Sequence, residues 1–267
     1  MVDPIAVPSV VVGIDGSRAA TQAAVWAVDE AVSRDIPLRL VYVIDSVDLA
    51  TDDSDHRQFA CARAALYDAQ RSVVATGEPV KVDTEILSGK PLAKLAQESR
   101  SAPMVCVGSI GARHARHGTG SVAAALPALA QCPVAVIRPQ RRAAKAVRSV
   151  VVEVDNGVVL RHAFDEARLR KAPLLAVASW QAEVPDDIAD GNRLARAHLN
   201  RRIDRWARLY PDVAVESLVV RGSLCEYLAK NATSVEIFVT GIRGGRCDLV
   251  GPGPVECSVL TVRGNHL

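Results

Sequence analysis

The segment with the clearest binding chemistry in this sequence is a glycine-rich stretch at residues 108–121. It reads Gly-Ser-Ile-Gly-Ala-Arg-His-Ala-Arg-His-Gly-Thr-Gly-Ser and lies between an apolar run and a helical stretch that starts near Val122. Glycines let the backbone approach phosphate oxygens, while main-chain N–H groups and the Ser121 hydroxyl can donate hydrogen bonds. The following helix adds its positive amino-terminal end, and Arg113 and Arg116 can add charge-assisted bonds. These features predict a local anion site, with a flexible surface turn as the alternative.

A carboxylate follows the first apolar run of the chain. Asp15 precedes Gly16 and Ser17, so it is expected at the carboxyl end of a strand, where open α/β sheets bind ligands. The alternative is a helix N-cap, because Asp or Ser often precedes an alanine-rich helical sequence. Taken alone, this residue leaves both interpretations open.

Several other chemistries are not supported. The glycine-rich stretch lacks the Gly-Lys-Ser/Thr ending of a P-loop, and no GxGxxG motif follows a strand, so P-loop NTPases and Rossmann dehydrogenases are excluded. No nucleophile–base pair is recognisable, so no catalytic residue is predicted. The six cysteines are scattered without a CxxC pair and are expected to be reduced and mostly buried. No metal site is predicted, because four candidate ligands lack ligand spacing: Cys106, His114, His117 and Cys132.

Strands and helices alternate through the first half of the chain. The predicted strands are Ser9–Ile14, Leu38–Ile44, Val80–Leu87, Met104–Val107 and Val134–Ile137. The predicted helices are Arg18–Arg34, Ser54–Thr76, Gly89–Arg100 and Ser121–Gln131. The first helix places alanines on one face, which favours close packing on a sheet: Ala20, Ala23, Ala24, Ala27 and Ala31. This order predicts a parallel sheet covered on both faces.

The second half repeats the first. Its predicted strands are Ser149–Val154, Leu174–Ser179, Val213–Val220, Val235–Thr240 and Ser258–Val262. Asp155 corresponds to Asp15 at an offset of 140 residues, Gly241 to Gly108 at 133, and Cys257 to Cys132 at 125. The second copy has therefore lost residues twice: first among its second strand, second helix and their loops, then after Gly244, where most of a helix is missing. This internal duplication predicts two domains, 1–145 and 146–267, joined near the basic stretch Gln140–Arg148.

The bulk composition agrees with this organisation. The 267 residues are 49% hydrophobic and only 4% aromatic, as expected for parallel sheets packed with Ala, Val, Leu and Ile. A net charge of +2 gives no broad footprint for nucleic acid or an anionic membrane, so neither is an expected partner. No run approaches the ~20 apolar residues of a membrane span and no secretory leader is recognisable, so a cytoplasmic location is predicted.

A basic stretch in the second half has two interpretations. Six arginines alternate with apolar residues there: Arg193, Arg196, Arg201, Arg202, Arg205 and Arg208. An amphipathic surface helix is one interpretation, and a patch for a partner or an acidic ligand is the other. Trp26, Trp180 and Trp206 lie on or beside predicted core elements and are expected to pack there.

Short motifs in both halves resemble the universal stress protein family. They include Val-Gly-Ile-Asp-Gly-Ser at 12–17, Val-Cys-Val-Gly-Ser-x-Gly at 105–111, Gly-Ser-Val at 120–122 and Cys-Pro-Val-Ala-Val-Ile-Arg at 132–138. The resemblance implies a tandem member of α/β class. The expected fold consists of two Rossmann-like domains, each built on an open five-stranded parallel sheet of strand order 3-2-1-4-5. The second domain would be truncated. It also implies ATP, accompanied by Mg²⁺, lying across strands 1 and 4.

The resemblance further assigns site residues in the first domain. Asp15 would bond adenine, and the backbone at Gly13 and Val43 would line it. Ribose and phosphates would be bordered by Gly108, Ser109, Ile110, Gly111, Ala112, Arg113 and His114, and phosphate would be held by Gly120, Ser121 and Val122. The family motif G-x2-G-x9-G-[ST] has nine residues in its second gap, whereas eight separate Gly111 from Gly120 here. This departure concerns the phosphate geometry and not the fold.

The second domain carries a degenerate version of the site. Its counterparts are Asp155, Gly241, Arg243 and Gly244. No Ser or Thr follows the last glycine, and Pro252 and Pro254 lack backbone donors, so weak or absent phosphate binding is predicted there. This domain would then serve as a structural partner.

The favoured function is an ATP-binding regulatory protein of the universal stress response type, acting through a nucleotide-dependent change of conformation or protein partner. The alternative is a structural or interaction module that has lost nucleotide binding. Enzymatic activity beyond a weak ATPase or autophosphorylation is not predicted, because no general base or P-loop lysine accompanies the segment. The resemblance implies dimerisation through final strands, with Val134–Ile137 as the candidate, either as a homodimer or between the two domains of one chain.

Overall fold

Each half of the chain forms its own compact unit. The computed structural model describes residues 7–45, 52–109, 121–139, 147–154, 156–180, 188–242 and 257–264. Among these, the residues up to Pro139 form the first unit, and those from Val147 onward form the second. The domain boundary near residue 146 stays a prediction, because residues 140–146 lie outside the described part of the chain.

The first unit alternates strands with helices. Its elements are β1 (Val10–Ile14), α1 (Arg18–Arg34), β2 (Leu38–Ile44), α2 (Asp52–Val74), β3 (Val82–Ser88), α3 (Pro91–Glu98), β4 (Val105–Gly108), α4 (Ser121–Leu129) and β5 (Val134–Ile137). Neighbouring strands are parallel and lie in the order β3-β2-β1-β4-β5. This is the predicted order 3-2-1-4-5.

The second unit repeats this arrangement. Its elements are β6 (Ser149–Glu153), α5 (Gly157–Leu169), β7 (Leu174–Trp180), α6 (Ile188–Leu209), β8 (Val215–Arg221), α7 (Leu224–Asn231), β9 (Val235–Gly241) and β10 (Val259–Val262). The parallel order is β8-β7-β6-β9-β10, again 3-2-1-4-5 by position within the unit. The predicted tandem α/β fold is therefore confirmed. No helix within the described residues is long and apolar enough to cross a membrane.

The core of the first unit is built from small and branched side chains. All five alanines of the predicted α1 stripe are at most 2% exposed. They bring the helix so close to the sheet that a Cβ added at Gly108 would lie 2.6 Å from backbone atoms of Ala19 and Ala20. In the second unit, the residues at the same distance from the helix cap are the larger Val158 and Val159. Gly108 thus serves the packing of α1 on β4.

One corner of the fold is repeated, with five of nine residues identical in the two units. Glu-Ala-Val-Ser-Arg-Asp-Ile-Pro-Leu at 30–38 matches Glu-Ala-Arg-Leu-Arg-Lys-Ala-Pro-Leu at 166–174. Both segments end a helix, turn through a non-glycine residue of positive φ, and enter the second strand; φ is 52° at Asp35 and 51° at Lys171. This match strengthens the case for duplication.

A buried ion pair lies on each of these corners. Glu30 is fully buried, and its Oε2 is 2.6 Å from Nη1 of Arg34. In the second unit, Oε2 of Glu166 is 3.0 Å from Nε of Arg170. Arg34 is 30% exposed whereas Arg170 is only 7% exposed, so the second pair is more fully removed from water.

Some boundaries differ from the sequence-based expectation. β3 and β8 each begin two residues later than predicted, at Val82 and Val215. The predicted position of the first shortening is also wrong in part. The offset between copies is 140 at Val10/Val150, 139 at the helix caps Ser17/Asn156, and already 136 at Leu38/Leu174. Four of the seven lost residues therefore precede the second strand. Three of them fall between the helix cap and that strand, where α5 has 13 residues and α1 has 17.

Candidate functional site

The predicted site residues of the first unit meet at one edge of its sheet. Asp15 follows β1, Val43 lies near the end of β2, and Gly108 ends β4. Because these strands are parallel neighbours, their carboxyl ends share an edge. The strand order changes direction between β1 and β4, which is the position where open α/β sheets form a ligand crevice.

The turn after β1 is held by its own side chains. Oδ1 of Asp15 accepts a hydrogen bond of 2.9 Å from the backbone N–H of Ser17. Ser17 is the N-cap of α1, since its hydroxyl accepts from the backbone N–H of Ala20 at 3.1 Å. Gly16 between them has φ of +81°, a conformation that favours glycine. The capping role considered for Asp15 thus belongs to Ser17, and Asp15 orders the turn leading to the cap.

The two other adenine-lining candidates differ in their surroundings. A Cβ added at Gly13 would lie 3.0 Å from Cδ1 of Leu95 and 3.3 Å from Cγ1 of Val107. The absence of a side chain at Gly13 therefore lets Leu95 of α3 pack on β1. Val43 is half-buried and pairs in register with Leu87 of β3.

Ser109 lies directly after β4, at the start of the glycine-rich segment. Its backbone N–H donates to the carbonyl oxygen of Ile137 at 2.9 Å. Its hydroxyl oxygen is buried and has no hydrogen-bond partner among the described residues. A buried hydroxyl without a partner costs ~1–3 kcal/mol, so this position favours a polar group from a ligand or from the residues that follow.

The helix after the glycine-rich segment completes the described part of this edge. α4 begins at Ser121, and Val122 in its first turn is half-buried. Because α4 leads from β4 back to the start of β5, its amino-terminal end belongs to the edge where the strands end. Six predicted site residues lie outside the described residues: Ile110, Gly111, Ala112, Arg113, His114 and Gly120.

The corresponding edge of the second unit has a different composition. Gly241 ends β9, one residue beyond the predicted end at Thr240, while Asp155, Arg243 and Gly244 lie outside the described residues. Sheet register places Glu153 where the first unit has Gly13. Its Oε2 accepts from the hydroxyl of Thr240 at 3.4 Å. The second unit therefore has a carboxylate side chain at a position where the first unit has a glycine without a side chain.

An aromatic and ionic cluster links α5 to α6 in the second unit. The ring centroid of Phe164 is 5.0 Å from that of Tyr210 and 6.2 Å from that of Trp206. Arg168 lies 4.3 Å from the centroid of the Tyr210 ring and makes two hydrogen bonds with Asp212, of 2.9 and 3.0 Å. Trp206 therefore packs against the aromatic ring of Phe164, as expected for a core residue.

The charges of this cluster shift several ionisation equilibria. The hydrogen bond from Arg168 lowers the pKa of Asp212, and the same contact raises the pKa of Arg168. Burial raises the pKa of Tyr210, helped by the hydrogen bond that its hydroxyl donates to Asp165 at 2.7 Å. The contacts behind these shifts join α5 to the segment that ends α6, so we interpret the cluster as structural.

The buried thiols have no evident chemical role. Cys106 and Cys257 are fully buried. Burial raises the pKa of Cys132 to about 12, which keeps this thiol protonated at neutral pH. Within the described residues, no group of three His, Cys, Asp or Glu side chains is arranged to hold a metal ion. His114 and His117, which the metal interpretation requires, lie outside these residues.

Comparisons with known proteins agree on one family. The sequence profile of the universal stress protein family matches residues 7–138. The chain is 57% identical over 270 residues to universal stress protein Rv3134c of Mycobacterium tuberculosis H37Rv, covering 100% of both chains. It is 46% identical to universal stress protein Rv2028c of the same organism, covering 87% of this chain and 85% of that protein.

A solved structure shares the fold. A universal stress protein from Archaeoglobus fulgidus superposes with a TM-score of 0.69 at 15% sequence identity, covering 97% of each chain. At this identity the match supports the tandem architecture and not a shared ligand. The order of elements in both units is therefore that of a known fold.

Proposed function

We propose that this chain, which belongs to the universal stress protein family, is an adenine-nucleotide-binding regulatory protein whose first unit holds the nucleotide. ATP is the nucleotide that we assign, with Mg²⁺ as its companion. Binding would change the conformation of the first unit or its choice of protein partner. Catalysis is not part of the proposal.

The observation that carries this proposal is the meeting of four elements at the switch point of the first sheet. The turn at Asp15, the end of β2 at Val43, the end of β4 at Gly108 and the start of α4 at Ser121 share one edge. The segment joining β4 to α4 has the glycine-rich sequence suited to phosphate. The buried hydroxyl of Ser109, at the start of that segment, favours a polar neighbour.

The contacts of Gly108 provide a route by which nucleotide binding would change the position of α1. The end of β4 is within contact distance of the α1 backbone, with no side chain between them. A ligand that moves the segment after Gly108 would therefore also move α1. The nucleotide would supply the charge and the anchoring for this displacement.

The test is calorimetric titration of ATP, with Mg²⁺, into chain from which nucleotide has been removed. We expect about one site per chain, and at least ~10-fold weaker binding in the Gly120→Ala/Ser121→Ala variant, equivalent to ~1.4 kcal/mol. Gly244→Ala changes the matching segment of the second unit and is the control, for which unchanged binding is expected. Two equivalent sites, one of them lost in Gly244→Ala, would contradict our assignment of the site to the first unit alone.

The second candidate is an interaction module without nucleotide. The packing of Leu95 against Gly13 favours it, because an aliphatic side chain already covers the bare backbone of β1. The gap of eight residues between Gly111 and Gly120 favours it as well. If the calorimetric titration gives no heat of binding up to about 1 mM ATP, the interaction module without nucleotide is the better description.

A further inference from the structure

A cavity of about 430 Å³ lies within the second unit, at the carboxyl ends of β6 and β7. Val154 follows β6, and Ala178 and Ser179 belong to β7. The remaining wall is one face of α6, formed by Leu194, Ala195, His198, Leu199, Arg201 and Arg202. The volume is within the ~300–1,000 Å³ typical of small-molecule sites.

The lining combines an apolar surface with a cationic one. Leu199 is buried at the base, and Leu194 is 68% exposed at the rim. His198, Arg201 and Arg202 are spaced i, i+3 and i+4, so their side chains project from the same face of the helix. No carboxylate occurs among the described residues that line the cavity. The lining therefore suits an anion that carries an apolar group.

These cations are specific to the second unit. Buried and half-buried residues recur at the same spacing in the two equivalent helices, which aligns Ala62 and Leu66 of α2 with Leu199 and Ile203 of α6. In this alignment, the first unit has Cys61, Ala64 and Ala65 where the second has His198, Arg201 and Arg202. Arg196 and Arg205 of α6 also stand where α2 has the non-basic Phe59 and Asp68, but these two arginines are not among the cavity-lining residues, whereas His198, Arg201 and Arg202 are.

We propose that the second unit binds a small organic phosphate monoester in this cavity. The planar guanidinium groups of Arg201 and Arg202 would pair with phosphate oxygens, and the Ser179 hydroxyl would donate a further bond. Val154, Ala178 and Leu199 would contact a ring-sized apolar body. This site uses helix side chains and is independent of nucleotide binding by the first unit.

Phenyl phosphate is the probe, titrated calorimetrically into full-length chain freed of nucleotide. We expect one site per chain, with inorganic phosphate and benzyl alcohol each binding at least ~10-fold more weakly, because each lacks one half of the ligand. The Arg201→Gln/Arg202→Gln variant should also lose at least ~10-fold in affinity. Arg205→Gln/Arg208→Gln removes the same charge from α6 outside the cavity and should bind as the unaltered chain does.

A second variant keeps the test independent of Arg202, which is half-buried and has other interactions. Leu194→Glu adds a carboxylate at the exposed rim and should weaken phenyl phosphate binding without unfolding the unit. Absence of binding at ~10 mM, or equal losses in the Arg205/Arg208 control, would overturn the proposal. Loss of the signal in Gly120→Ala/Ser121→Ala would also overturn it, by assigning the probe to the first unit. A failure of the chain to bind ATP would contradict the proposed function of the first unit but not the phosphate monoester site of the second.

Discussion

The two units share a backbone plan but differ at the edges where their strands end. The first unit has Gly13 in β1 and the second has Glu153 at the same register position. The helix after the second strand has alanines in the first unit where the second has Arg201 and Arg202. Strand order and helix–strand corners were kept after duplication, while the side chains at the carboxyl ends of the strands changed. The scaffold and this edge of each unit have therefore diverged independently, as expected when a fold can carry different sites.

The repeated corner allows a direct comparison of one ion pair in two settings. Both pairs are i, i+4 contacts at the end of the helix that follows the first strand. They differ in exposure, because Arg34 reaches water and Arg170 does not. The energetic cost of removing the carboxylate should follow this difference.

The largest expected effect is that of Glu166→Gln. Arg170 would lose its carboxylate in a buried setting, and we expect the free energy of unfolding of the second unit to fall by ~3 kcal/mol. Glu30→Gln should cost the first unit only ~1 kcal/mol, because Arg34 can turn towards solvent. Urea denaturation followed by circular dichroism measures both.

A double variant serves as control for this comparison. Glu166→Gln/Arg170→Gln removes both charges and should recover part of the loss, because no buried charge is left without its partner. Equal losses for Glu30→Gln and Glu166→Gln would show that exposure of the arginine does not set the cost.

The next effect tests the close contact between α1 and β4 in the first unit. Gly108→Ala places a methyl group 2.6 Å from the backbone of α1, which cannot yield as a side chain can. We expect a loss of ~2 kcal/mol, confined to the first unit. Differential scanning calorimetry, in which the transition of the second unit is the internal reference, measures it.

Gly77→Ala is a suitable control for this prediction. Gly77 also belongs to the first unit and has φ of +76°, but nothing lies within 4 Å of an added Cβ. Its cost is expected to be ~1 kcal/mol, from backbone strain alone. A loss at Gly108 no greater than at Gly77 would refute the close contact.

The smallest effect concerns the aromatic and ionic cluster between α5 and the end of α6 in the second unit. Arg168 lowers the pKa of Asp212 below its ordinary value of 3.8. The ionised carboxylate is thus favoured in the folded state, so its contribution is complete above about pH 4 and is lost as pH falls through the lowered pKa. In Asp212→Asn, the unfolding midpoint should decline less steeply between about pH 4 and pH 2, with Asp204→Asn as the matched control. Identical slopes in all three proteins would argue against the Arg168–Asp212 contact in solution.

Much of the fold could be predicted because its signals are local. Apolar runs such as Leu38–Ile44 and Val134–Ile137 match β2 and β5 residue for residue. The alanine stripe of α1 predicted close packing, which Gly108 provides. The strand order came from resemblance to a family, since alternation of elements alone does not fix it.

The detailed contacts of the candidate sites were harder to predict from the sequence. The proximity of Leu95 to Gly13 joins residues of two distant elements, and no local pattern encodes it. The cavity of the second unit depends on how α6 meets β7, so arginines visible in the sequence could not be assigned to a cavity. The repeated Glu-Ala-x-x-Arg corner was accessible, but only by aligning the copies at an offset of 136 residues.

The same corner has a consequence for how the chain folds. Its backbone bonds span only a few residues: Ile36 donates to Ala31 at 3.1 Å, and Ala172 donates to Ala167 at 3.0 Å. Contacts of such low sequence separation form early, before the long-range strand pairings on which the sheets depend. During synthesis, the first corner leaves the ribosome well before the second, so each sheet has its own local nucleus at a different time. This ordering in time would help two similar halves to avoid exchanging strands while they fold.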